Sequence, residues 1–134
     1  MSSLRAVCLA SILVLPLLAF AKSDGSIDSP KGRVPAGRVT VKGTLSKMSD
    51  GERYWLVVRR DNLLFPKVRV RAEATWEATI EEPTPVGDRF SIVLFAVTPR
   101  GDQQLQAWLS AGRYVGLTEI AGGEELDAVD LRAK

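Results

Sequence analysis

Residues 90–97 read Phe-Ser-Ile-Val-Leu-Phe-Ala-Val, and this run constrains the fold more than any other stretch of the chain. Only Ser91 interrupts its apolar character. Ile92, Val93 and Val97 are β-branched, and Phe90 and Phe95 add aromatic bulk, the side chains that pack best on a pleated surface. Gly87-Asp88 precedes the run and Pro99-Arg100-Gly101 follows it, so it reads as a strand buried on both faces. Phe90, Ile92, Leu94 and Ala96 point one way; Ser91, Val93, Phe95 and Val97 point the other. Each side needs a cover, so the fold must have more than one layer.

The N-terminus bears on location. A short leading segment with Arg5 is followed by an apolar stretch over 6–20, and Ala19-Phe20-Ala21 has the small-x-small form of a cleavage site. The stretch is short for a membrane span, which needs roughly 20 apolar residues, and Pro16 interrupts it. Residues 1–21 therefore read as a signal peptide, with no stable membrane span after cleavage; the rival is an uncleaved N-terminal anchor, which the flanks and the length disfavour. The expected location is the periplasm or the medium of a bacterium. Cys8 is the only cysteine and lies within the leader, so the domain must rest on a hydrophobic core without disulfides. Lys and Arg number 18 against 16 Asp and Glu, a balance too even for a nucleic-acid binder.

Residues 22–37 hold Ser, Pro and Gly with almost no large apolar side chain, and they read as a flexible linker before a domain over 38–132. Asp24-Gly25-Ser26-Ile27-Asp28 has a superficial likeness to a calcium loop, but the position that needs a bidentate Glu is Pro35. Strand-like alternation follows over 38–45, 54–60, 67–71, 75–80 and 126–132, with Asp50-Gly51 and Asp61-Asn62 as turns. Pro66 demotes 63–66 to an edge or a connection. The period changes after Pro99. Asp102 serves as an N-cap, Leu105, Trp108 and Leu109 share a face, and Gly112 ends a short helix. The predicted fold is an all-β antiparallel β-sandwich with one short helix before the last strand, crossing between the two sheets; the rival is an α+β layer in which that helix covers one face of a single sheet, which one short helix does poorly.

A resemblance supports that fold. Tyr54-Trp55-Leu56-Val57-Val58, Phe65-Pro66-Lys67, the strand carrying Trp76, and Gly87-Asp88-Arg89-Phe90 follow one another in order. Trp108-Leu109, Gly116-Leu117 and Leu126-Asp127-x-Val129 complete the series. The series resembles bacterial immunoglobulin-like sandwich accessory domains over 39–132. The resemblance implies an all-β, immunoglobulin-like antiparallel β-sandwich and an accessory or binding role, and it brings no catalytic residues.

The chain has no His, and no Cys after the leader. Ser-His-Asp and Cys-His catalysis, His-containing metal sites and thiol redox chemistry are thereby excluded. Carboxylate pairs remain, at Glu81/Glu82, Glu124/Glu125 and Asp127/Asp130, but adjacent loop carboxylates are usually solvated. No cofactor is implied and the domain reads as non-enzymatic.

Two features offer binding. Arg59, Arg60, Lys67, Arg69 and Arg71 concentrate positive charge, suited to an anionic glycan or lipid or to an envelope protein; the bland alternative is a solvated, aggregation-resistant sheet. Trp55 beside Arg59, extended by Phe65 and Pro66, forms a stacking surface if it points outward and belongs to the core if its strand is covered on both sides. Trp76 and Trp108 fit core positions. The sequence therefore reads as an exported binding or accessory domain of the cell envelope. A periplasmic inhibitor or immunity protein and a carbohydrate-binding module are the alternatives.

Overall fold

The two faces of residues 90–97 have two different covers. A computed structural model of the chain describes residues 22–112 and 115–134. Its elements in order are β1 (Asp24–Ser29), β2 (Gly32–Val34), β3 (Gly37–Lys47), β4 (Arg53–Arg60), β5 (Leu63–Val70), β6 (Thr75–Glu82), β7 (Arg89–Val97), α1 (Pro99–Ser110) and β8 (Gly123–Ala133). They form a three-stranded sheet, β1-β3-β6, and a five-stranded sheet, β2-β8-β7-β4-β5. Every ladder is antiparallel except β2 with β8. With β3, β4, β6, β7 and β8 as strands B, C, E, F and G, this is an immunoglobulin-like sandwich.

β7 lies in the middle of the larger sheet. Its Phe90, Ile92, Leu94 and Ala96 pack with Tyr54, Leu56 and Val58 of β4 against Val39, Val41, Leu45, Trp76 and Ile80 of the smaller sheet. Val93, Phe95 and Val97 turn the other way. With Trp55 and Val57 they pack under Leu105 of α1 and Ile120 of the following loop. The apolar run is thus the shared wall of two cores.

Turn chemistry sets the registers. Asp61 and Asn62 both have positive φ, 52° and 65°, the two-residue hairpin geometry that matches strand twist. Pro66 stands in β5, the outermost strand of its sheet, where a missing N–H is harmless. Leu64 of β5 exchanges both backbone hydrogen bonds with Leu117, at 2.8 Å each, so the loop after α1 seals part of that edge.

Three expectations need correction. Residues 22–37 are not a free linker, because β1 and β2 lie within this segment. Ile27 and Val34 are buried in the main core, and Asp127 Oδ2 accepts the Ile27 N–H at 2.7 Å. A ladder supplies the rest, since an edge strand needs few inward side chains. The helix also does not cross between sheets: it leaves β7 and returns to β8, its neighbour in the same sheet, and lies on that sheet's outer face. Finally, the N-cap is Thr98, whose hydroxyl accepts the Gly101 N–H at 3.2 Å. Pro99 occupies the first turn, where its lost N–H costs nothing. Asp102 is released for another task. The predicted leader, 1–21, lies outside the described residues.

Candidate functional site

The predicted site residues fall into separate groups. Trp55 and Arg69 are register partners on β4 and β5, facing α1. Trp55 is 2% exposed, so of the two readings the sequence left open it takes the core one and is no binding surface: α1 covers the central strands on that side. Both residues meet Asp102 in the first turn of α1. Asp102 Oδ1 accepts Trp55 Nε1–H at 2.8 Å and Arg69 Nε–H at 3.1 Å, while Oδ2 accepts Arg69 Nη2–H at 2.5 Å and Gln106 Nε2–H at 2.8 Å. Burial disfavours the charged carboxylate, but the Trp55, Arg69 and Gln106 donors together with the Arg69 charge hold its pKa below the usual value.

Arg60, Phe65 and Lys67 converge on a second acid. The Glu82 side chain is 0% exposed, with Arg60 Nε 3.3 Å from Oε2 and Lys67 Nζ 3.0 Å from Oε1. Thr84 donates its hydroxyl to Glu82. The Arg60 guanidinium carbon sits 4.5 Å from the centre of the Phe65 ring, and Phe65 meets the Trp108 ring edge-on at 6.4 Å. Lys67 Nζ also donates to the Glu81 carbonyl at 2.8 Å, tying β5 to β6 across the open flank of the sandwich.

Arg59 pairs with Glu125 at 2.8 Å on an exposed surface. Arg71 stands apart. β5 ends at Val70, so Arg71 does not share a strand face with Arg69. It lines an open hollow of about 610 Å³ on the smaller sheet, with Lys42, Glu73 and Glu77. Four of the five predicted cations are thus paired with acids of the same chain, three of them with the buried Glu82 and Asp102, and the charge run does not form one anion site.

The carboxylate pairs are also dispersed. Glu82 is buried while Glu81 is exposed. Glu124 lies 3.6 Å from Lys22, Asp127 accepts the β1 backbone, and Asp130 accepts the Ser91 hydroxyl at 2.5 Å. Among the described residues, no group of three His, Cys, Asp or Glu is arranged to hold a metal ion.

What sequence reasoning missed is the surface around α1. Leu109 is 40% exposed and Val115 75% exposed, on either side of Trp108. One groove of about 490 Å³ runs along Ala107, Trp108, Ala111 and Leu117. Another, of about 510 Å³, lies between α1 and the β5 and β6 edges, lined by Phe65, Pro66, Val68, Ile80 and Leu109. Trp108 belongs to both, and its Nε1–H is taken by the Val115 carbonyl at 3.0 Å. The signal was present in the sequence as Leu109, an apolar residue on a helix whose inward face Leu105 and Trp108 already fill.

These features define an immunoglobulin-like sandwich whose outer sheet face is covered by its own helix. Compared with protein-family models and with curated proteins, the chain matches none.

Proposed function

We propose that this domain is a non-catalytic binding module of the cell envelope that docks to another envelope protein through the apolar surface around α1. One observation carries the reading: Leu109 and Val115 stand exposed beside two apolar grooves that share Trp108. Apolar surface grouped in this way is the usual mark of a protein contact, and a buried aromatic at its centre is a suitable anchor for a partner's side chains. The indoles of Trp55, Trp76 and Trp108 are all buried, which leaves no tryptophan platform for stacking on sugar rings.

The test is a pull-down from the envelope fraction with C-terminally tagged chain, run beside the double variant Leu109→Asp, Val115→Asp. The expected result is one protein retained near stoichiometry by the wild type and lost from the variant, with the melting temperature unchanged. An enzyme inhibited by the retained complex would specify the partner as a target of inhibition. Equal retention by both forms, or none by either, would overturn the reading.

A further inference from the structure

Three arginines far apart in the sequence meet in one row. Arg33 of β2 is the register partner of Arg132 of β8, and Arg132 is the register partner of Arg89 of β7. Their neighbours Val34, Phe90, Leu131 and Ala133 are buried against the smaller sheet. Period-two alternation therefore carries all three arginines to the opposite face. Strand spacing puts successive members about 5 Å apart and the ends of the row about 10 Å apart.

The row is unusual in this molecule. Like charges directly opposite on neighbouring strands destabilise a sheet, and Arg132 has one on each side. None of the three makes an ion pair among the described residues, whereas Arg59, Arg60, Lys67 and Arg69 each have an acid within 4 Å. The nearest acids do not neutralise the row. Asp130, one position along β8, takes the Ser91 hydroxyl, while Asp61 and Asp88 share shallow hollows with Arg89 without reaching it. Lys31 precedes β2 and Lys134 follows β8, so in the parallel β2–β8 register they stand at the two ends of that short ladder, and the Lys134 N–H is held by the Val34 carbonyl at 2.8 Å.

We propose that the Arg33–Arg132–Arg89 row binds the phosphates of anionic phospholipid headgroups and seats this end of the sandwich on a membrane surface. A guanidinium fork matches phosphate oxygens in pairs. A row about 10 Å long exceeds a single phosphate, and the hollows that Arg89 lines among the described residues are shallow, so it suits a plane of headgroups better than one free ion. Basic clusters of this kind bind anionic leaflets and are released by salt. The row goes beyond the partner surface at α1 and uses none of its residues, so either can fail without the other.

Co-sedimentation of the purified chain with vesicles tests the proposal. Phosphatidylglycerol mixed into phosphatidylcholine should retain the chain at low salt and release it at high salt, and pure phosphatidylcholine should not retain it. Arg89→Gln with Arg132→Gln should weaken retention at least tenfold without lowering the melting temperature, because the variant removes repulsion. Arg38→Gln with Lys42→Gln, on the other sheet, should leave retention unchanged. Equal retention of wild type and the Arg89/Arg132 variant, equal binding to both lipids, or no binding would overturn the proposal. So would binding of soluble polyphosphate without binding of vesicles, which would assign the row to a free anion.

Discussion

Asp102 stands in the first turn of α1, where the helix's positive end favours a negative charge, but its main service is to the sheet below. Among the described residues it is the one acceptor for the buried Trp55 indole, and it is the counter-ion of Arg69. Asp102→Ala would strand the Trp55 N–H, and a buried donor without a partner costs about 1–3 kcal/mol. Arg69 is 44% exposed, so water screens the ionic part and that part adds little. The pH dependence follows from the lowered pKa. Asp102 contributes stability that is fully present above its ordinary value of 3.8 and is lost as pH falls through the lower folded value. In urea unfolding, the stability gap between wild type and Asp102→Asn should be constant near neutrality and should close below about pH 3.8. Glu82 illustrates a different balance: with its side chain wholly buried, Arg60, Lys67 and Thr84 must offset a desolvation penalty that an exposed pair such as Arg59–Glu125 never incurs.

At the scale of elements, what was legible depended on how many faces of a strand are buried. Residues 90–97 announced themselves because both faces carry apolar side chains. β1 buries Ile27 and holds its other contacts through the backbone and polar side chains, including Ser26 Oγ with Thr44 Oγ1 at 2.7 Å. Composition therefore read it as a tether. A linker would tolerate Ile27→Ala without effect; in β1 the change should cost about 2–5 kcal/mol, as a buried large-to-small substitution does, measured as a lowered urea midpoint. The cation run 59–71 was equally visible, but its meaning was not. Glu82, Asp102 and Glu125 reach it from β6, α1 and β8, and no local spacing encodes those meetings. The arginine row is the extreme case, assembled from β2, β7 and β8 purely by register. At α1 the periodicity located the helix, while the cap shifted to Thr98 because Pro99 starts a helix well.

For the molecule as a whole, stability is concentrated in a wall of two strands. β4 and β7 are covered on both sides, with Leu56, Val57, Val58, Ile92, Val93 and Leu94 at 0% exposure, whereas β1, β2, β5 and β6 each have one lateral edge outside their ladders. Amide exchange should therefore be slowest in β4 and β7, at rates set by global unfolding, and faster in β1, β2 and β6. Uniform protection across both sheets would contradict this arrangement. The proposed partner surface and the proposed membrane surface are separate on such a body: one gathers around the C-terminal half of α1, the other on the row shared by β2, β8 and β7.

The departure and return of the helical segment are stitched together, since the Thr98 N–H is held by the Gly122 carbonyl at 3.2 Å. The strands on either side are already ladder neighbours, so the connectivity of the sandwich would survive if everything between them were exchanged. Descendants of such a chain are free to try new excursions at this position without rethreading the fold. They inherit one condition: whatever replaces α1 must bring its own apolar lid for Trp55, Val57, Val93, Phe95 and Val97. The proposed partner surface and the upkeep of the core are thereby tied to the same two dozen or so residues, about the length of a helix with its two connections.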